Sequence, residues 1–175
     1  HPAEVDLGRG DRRHLPVEYG GHLEVDEHHV ADASIPPAEA GRAGVDALGV
    51  AYLEEGITLR RAGITAPILV MGGIIGNQIA HFIEYDLDIT ASSVYKLRQI
   101  DETARSMNRR AKVQLKIDTG MGRIGIRPEN APELFDAALR ATNCDISGVF
   151  SHFASSHDPD PVFTRKQLDI FLDTL

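Results

Sequence analysis

From residue 47 onward, short apolar runs alternate with stretches whose apolar residues recur at helical spacing, and this rhythm constrains the fold more than any other feature. The runs "ALGVAY" (47–52), "PILVM" (67–71), "LDIT" (87–90), "KVQLKID" (112–118) and "ISGVFSH" (146–152) are compact and end in turn or cap signals. Such runs suit strands buried on both faces of a parallel sheet. Residues 92–107 predict a helix that puts Val94, Leu97, Ile100, Ala104 and Met107 on one face, capped by Ser92 or Ser93. Asn130 and Glu133 predict a cap pair for the next helix, whose stripe is Leu134, Phe135, Ala138 and Leu139. Thr164 and Gln167 stand at capping-box spacing ahead of Leu168, Phe171, Leu172 and Leu175. Repeats of this kind build βαβ units. About five such units after residue 44, with a further strand at "AEVDL" (3–7), fit a doubly wound sheet or most of a (β/α)8 barrel. No Gly-x-Gly-x-x-Gly follows an early strand, and Arg123 in "GMGRIG" occupies a place where a dinucleotide loop needs close backbone approach. The expected fold is α/β, a partial (β/α)8 TIM-type barrel with parallel strands.

Charge narrows the partners. With 18 basic and 26 acidic residues the net charge is −8, which argues against nucleic acid and anionic membrane surfaces. No apolar stretch approaches the roughly 18–20 residues that span a bilayer, and "HPAEVDLGRGD" has no signal-peptide core. The single cysteine, Cys144, excludes an internal disulfide and suits a reducing, cytoplasmic setting; beside an apolar run it is expected to be buried and inert. The first 44 residues differ from the rest, with five of the eight histidines and no lysine.

The strand 112–118 runs into chemistry. By alternation Val113, Leu115 and Ile117 face one way, while Gln114, Lys116 and Asp118 face the other. In a barrel the apolar face meets the helices, so Lys116 and Asp118 point inward, where an unpaired charge is costly. Arg123 arrives on the following glycine-rich loop, at the end where barrels keep their sites. His152 ends another strand, in "GVFSHFASSHD" (148–158). Spacing alone leaves two readings open: a structural Lys116–Asp118 pair with Arg123 solvated and His152 structural, or a site shared by two strand ends.

"LKIDTGMGRIGIRPEN" (115–130) closely resembles the signature of alanine racemases, pyridoxal-phosphate enzymes built on a (β/α)8 barrel. The resemblance continues through "GVDALGVAYLEEGITLRRAGITAPILVMGG" (44–73) and "ISGVFSHFASSHDPDPVFTRKQLDIFLDTL" (146–175). It implies the interconversion of L- and D-alanine through a pyridoxal 5′-phosphate aldimine, for cell-wall precursor supply, by a homodimer. It also implies that Lys116 is carbamylated and that Arg123 pairs with the resulting anion beside the cofactor oxygen and the substrate carboxylate. His152 would then lie near the cofactor ring.

The same comparison implies that two family bases are missing, so no catalytic residue is assigned. The Schiff-base lysine would fall at Val30, just before "ADA" (31–33), and no lysine precedes Lys96. "EYGGH" (18–22) again has none. The second base, a tyrosine of a carboxy-terminal β domain, is expected beyond Leu175. Lys96 and Lys166 fall on predicted helices as solvated surface. The chain thus divides into a divergent or damaged segment, 1–43, and a part of clear resemblance, 44–175, expected to be inactive alone. Two alternatives stand beside this reading. One is a non-catalytic barrel that binds pyridoxal phosphate or another anion. The other is a metal site in "HLEVDEHHVAD" (22–32), where His22, Glu24, Asp26, Glu27, His28 and His29 offer ligands without standard spacing.

Overall fold

The computed structural model describes residues 46–175. The expected strand at 3–7, the 22–32 cluster and Val30 lie outside the described residues. The elements follow the order β1 (Leu48–Val50), α1 (Leu53–Arg61), β2 (Ile68–Val70), α2 (Ile79–Glu84), β3 (Asp88–Ala91), α3 (Val94–Ser106), β4 (Ala111–Lys116), α4 (Ala131–Arg140), β5 (Cys144–Phe150) and α5 (Val162–Thr174). Short 3₁₀ turns at Gly76–Gln78 and Pro128–Asn130 lead into α2 and α4.

The five strands form one sheet in the order β1-β2-β3-β4-β5, every pair parallel. Sequential order is the winding of a barrel, because a doubly wound sheet reverses direction at a switch point. The sheet is open among the described residues. Its helix-facing side carries Ile68, Val70, Ile89, Val113 and Leu115, each at most 2% exposed. Against it pack Leu53, Phe82, Leu97, Ile100, Ala104 and Leu134, completing one continuous core.

The helix over 92–107 forms as its pattern predicts: Ser93 Oγ accepts the Lys96 N–H, while Leu97, Ile100 and Ala104 are fully buried. Two expected caps do not form. Asn130 belongs to the 3₁₀ turn before α4 and its side chain makes no cap hydrogen bond. Pro132, in the first turn, lacks one of the N–H groups that a cap would satisfy. α5 begins two residues before Thr164, and the Asp160 carboxylate accepts the Val162 N–H there, which leaves Gln167 free for another task. Two stripes hold only in part. In α4, Leu134, Phe135 and Ala138 pack on the core as the stripe predicts, joined by Ala131 and Ala137, whereas Leu139 is 86% exposed. In α5, Leu172 and Leu175 are exposed and Gln167 is the buried residue.

At the amino-terminal ends of the strands, Arg60 donates to the carbonyls of Ile64, Ala66, Tyr85 and Asp86, tying α1 to the entries of β2 and β3. Reactive groups gather at the opposite end.

Candidate functional site

β4 delivers Lys116 to the carboxyl end of the sheet. Its neighbours Leu115 and Ile117 are buried on the helix side, so alternation sends the lysine to the other face, where it is only 2% exposed. Its Nζ donates to the Met71 carbonyl at 3.2 Å and lies 5.0 Å from the centre of the Phe150 ring. That ring is in place because β5 carries one extra residue, Ser147, between the partners of Val113 and Gln114; the bulge resets the register so that Phe150 pairs with Lys116. Burial first, and the Arg123 charge second, lower the Lys116 pKa, with Asp118 opposing them.

The loop after β4 turns back on the strand that launched it. Asp118 N–H donates to the Ile126 carbonyl and Ile126 N–H to the Lys116 carbonyl, so that Ile117 and Ile126 form a parallel bridge. Closing so short a loop requires Gly125, at φ +140°, where a Cβ would sit 2.6 Å from the Asp118 nitrogen. Inside the loop the Asp118 carboxylate accepts the N–H groups of Gly120 and Gly122. Burial works to raise the Asp118 pKa, but the amides of Gly122, Gly120 and Met121 outweigh it and hold the carboxyl below its usual range.

Asp118 is thus committed to its own loop. The Lys116–Asp118 ion pair left open by spacing does not form: no carboxylate among the described residues lies within 4.0 Å of Lys116 or Arg123. Two cations share this mouth, one buried and one exposed, with no acidic partner in contact among the described residues.

β5 brings the second wall. Thr119 and Ser151 hydroxyls meet at 2.7 Å and join the segments that follow β4 and β5. His152 comes next, half-buried, its carbonyl accepting from Gln167 Nε2. The two strand ends singled out from sequence are therefore adjacent in space. Lys96 and Lys166 stand on helices, as expected: Lys96 Nζ donates to Gln99 Oε1, and Lys166 is exposed. Cys144 is 5% exposed, its thiol pushed up to about 12 by burial and then by Asp101.

An α/β sheet wound in sequence, with a buried lysine and a loop arginine at one strand end, now has relatives to compare. The model of the alanine racemase N-terminal domain matches residues 32–175. The chain belongs to the alanine racemase family. Alanine racemase of Geobacter sulfurreducens is 43% identical over 117 residues, covering 67% of this chain and 31% of the relative. Among solved structures, alanine racemase from D-cycloserine-producing Streptomyces lavendulae has a TM-score of 0.78 and 36% identity, over 85% of this chain and 40% of that one. That of Clostridium difficile 630, in complex with cycloserine, has a TM-score of 0.75 and 33% identity, over 79% and 38%. The chain spans about a third of the length of the curated alanine racemases it matches, 31 to 36% in three of them.

The fold shows what strand alternation could not find. The Met71 carbonyl and the Phe150 ring reach Lys116 only through neighbouring strands, and a bulge is invisible to a period-two reading. Gln167 left a trace, a polar residue on the helix face shared with Phe163 and Ile170, but its spacing from Thr164 suggested a cap instead.

Proposed function

We propose that this chain is the cofactor-binding amino-terminal part of an alanine racemase-like protein, cytoplasmic and homodimeric, whose family reaction interconverts L- and D-alanine for cell-wall precursors. Pyridoxal 5′-phosphate would lie at the carboxyl ends of β4 and β5. One observation carries the reading: Lys116 and Arg123 crowd one strand end with no carboxylate of the described residues in contact, which suits anionic ligands. When bound, pyridoxal phosphate supplies an electron sink for the α-carbon of an amino acid. Arg123, permanently charged and forked, would face the cofactor's ring oxygen and the alanine carboxylate. His152 would hold the ring edge from the other wall.

Lys116 has a role that its burial favours. A lowered pKa enlarges the neutral fraction, and the neutral amine attacks carbon dioxide; an N–C bond forms and one proton leaves, giving a carbamate anion. That anion would offset Arg123 and remove the unpaired charge from the sheet's inner face. Val30, where the family has its lysine, leaves these 175 residues without a cofactor anchor, so alone they bind and do not turn over.

The test titrates the full chain with pyridoxal phosphate, then reduces with borohydride and maps peptides, with ¹³C-bicarbonate NMR in parallel. Binding weakened about tenfold by Arg123→Ala, a carbamate signal lost in Lys116→Met, and no lysine adduct are expected. A stoichiometric adduct at any of the four lysines, Lys96, Lys112, Lys116 or Lys166, overturns the account of the anchor. Absence of binding, or binding indifferent to Arg123→Ala, overturns the site.

A further inference from the structure

α5 contributes one fully buried polar side chain, Gln167, at 0% exposure. Its amide spans both walls of the mouth. Oε1 accepts the Ala154 N–H at 2.9 Å, and Nε2 donates to the His152 carbonyl at 3.1 Å. Nε2 also lies 3.4 Å from Thr119 Oγ1, and Thr119 in turn meets Ser151. Gly120 rests on the same helix: a Cβ there would come within 3.2 Å of Phe163 Cζ and 3.5 Å of Gln167 Cγ. One neutral group therefore acts as donor and acceptor at once, between the loop that carries Arg123 and the segment that carries His152.

We propose that Gln167 is a positioning residue that sets the spacing between the 118–125 loop, with Arg123, and the 151–154 segment, with His152. It rests on the pyridoxal-phosphate reading above and concerns how the two walls are held, with no contact to the ligand itself. A helix that served only to cover the core would present an apolar residue here. An amide with partners on two chain segments instead fixes their relative position, because sliding either wall leaves a buried donor or acceptor unsatisfied.

The test compares Gln167→Met and Gln167→Glu in the full chain, with Lys166→Gln as the exposed control on the same helix. Affinity for pyridoxal phosphate, thermal unfolding and backbone amide shifts are followed from pH about 8 to about 5.5, the range in which a buried carboxyl is expected to titrate. Folded Gln167→Met should bind about tenfold more weakly throughout. Gln167→Glu should bind as weakly at the alkaline end and recover towards wild type on acidification. There the protonated carboxyl regains a donor for the His152 carbonyl and keeps an acceptor for Ala154. Each value is normalised to wild type at the same pH, and Lys166→Gln should match wild type. Unchanged affinity in both folded variants, or a Gln167→Glu deficit with no pH dependence, overturns the proposal.

The amide shifts give a reading independent of the ligand. In Gln167→Glu, residues 119–123 and 152–154 should shift together and return together on acidification. Shifts confined to 152–154 overturn the positioning role. If wild type fails to bind pyridoxal phosphate, the cofactor reading falls, while the joint shift still decides whether Gln167 couples the walls. If Gln167→Met does not fold, the Gln167→Glu series decides alone.

Discussion

Replacing Gly125 by alanine probes the structure where it is least tolerant. The residue sits at φ +140°, and a Cβ would stand 2.6 Å from the Asp118 nitrogen and 2.9 Å from the Ile117 carbonyl carbon. Both are backbone atoms, so no side-chain rotation relieves the clash. Holding an L residue at such a φ costs about 1–3 kcal/mol. Moving the loop instead gives up the Asp118-to-Ile126 and Ile126-to-Lys116 backbone bonds, 2.8 and 2.9 Å long, each worth about 1 kcal/mol net. Gly125→Ala should therefore lose about 3 kcal/mol, and a chain of this size should melt about 10 °C lower. Urea and thermal unfolding followed by far-UV circular dichroism measure both. Gly76→Ala is the control: that residue has no positive φ and nothing within 4 Å of a new Cβ, so its stability should stay within about 0.5 kcal/mol of wild type. A Gly125→Ala variant as stable as Gly76→Ala would refute the closed loop, and with it the placement of Arg123.

Two further outcomes follow from burial and charge. Because Lys116 titrates lower when folded than its ordinary 10.5, the unfolded chain binds more protons between the two values, and stability rises with pH across that window. Urea stability of wild type minus that of Lys116→Met should climb towards alkaline pH; Cys144, whose raised pKa acts in the opposite sense, is common to both proteins. A flat difference would contradict the lowered value. In α4, Leu134→Ala should cost about 3 kcal/mol, whereas Leu139→Ala should change stability by less than about 0.5 kcal/mol. Equal losses in urea unfolding would mean that Leu139 is buried with the rest of its stripe.

The parallel strands and the α3 stripe were legible because burial on a regular lattice leaves a periodic record. Val113, Leu115 and Ile117 on one side and Lys116 on the other match the alternation residue by residue. Family resemblance named Lys116, Arg123 and His152 together, and the fold brings their strand ends side by side. Caps were less legible. Thr164 and Gln167 have the right separation for a box, but the helix starts wherever a side chain first satisfies its free amides, and Asp160 does so earlier. The stripe of α4 missed at one position for a related reason: which of several apolar residues turns inward depends on the neighbour it meets, and Leu134, Phe135 and Ala138 meet the core where Leu139 does not.

The sequence by itself determined the class of fold, the face to which each strand residue of β4 belongs, and the presence of a lysine and an arginine at one strand end. These are local properties, set by side-chain period and by the glycines that permit a tight return. Only the tertiary structure decided which partners those charges have. Asp118, two residues from Lys116, is drawn into its own loop by backbone amides, while the Met71 carbonyl just past β2 and a ring from β5 approach the lysine instead. A buried charge must settle with whatever the neighbouring strands deliver, and strand register, with its bulge at Ser147, lies beyond the reach of any one segment.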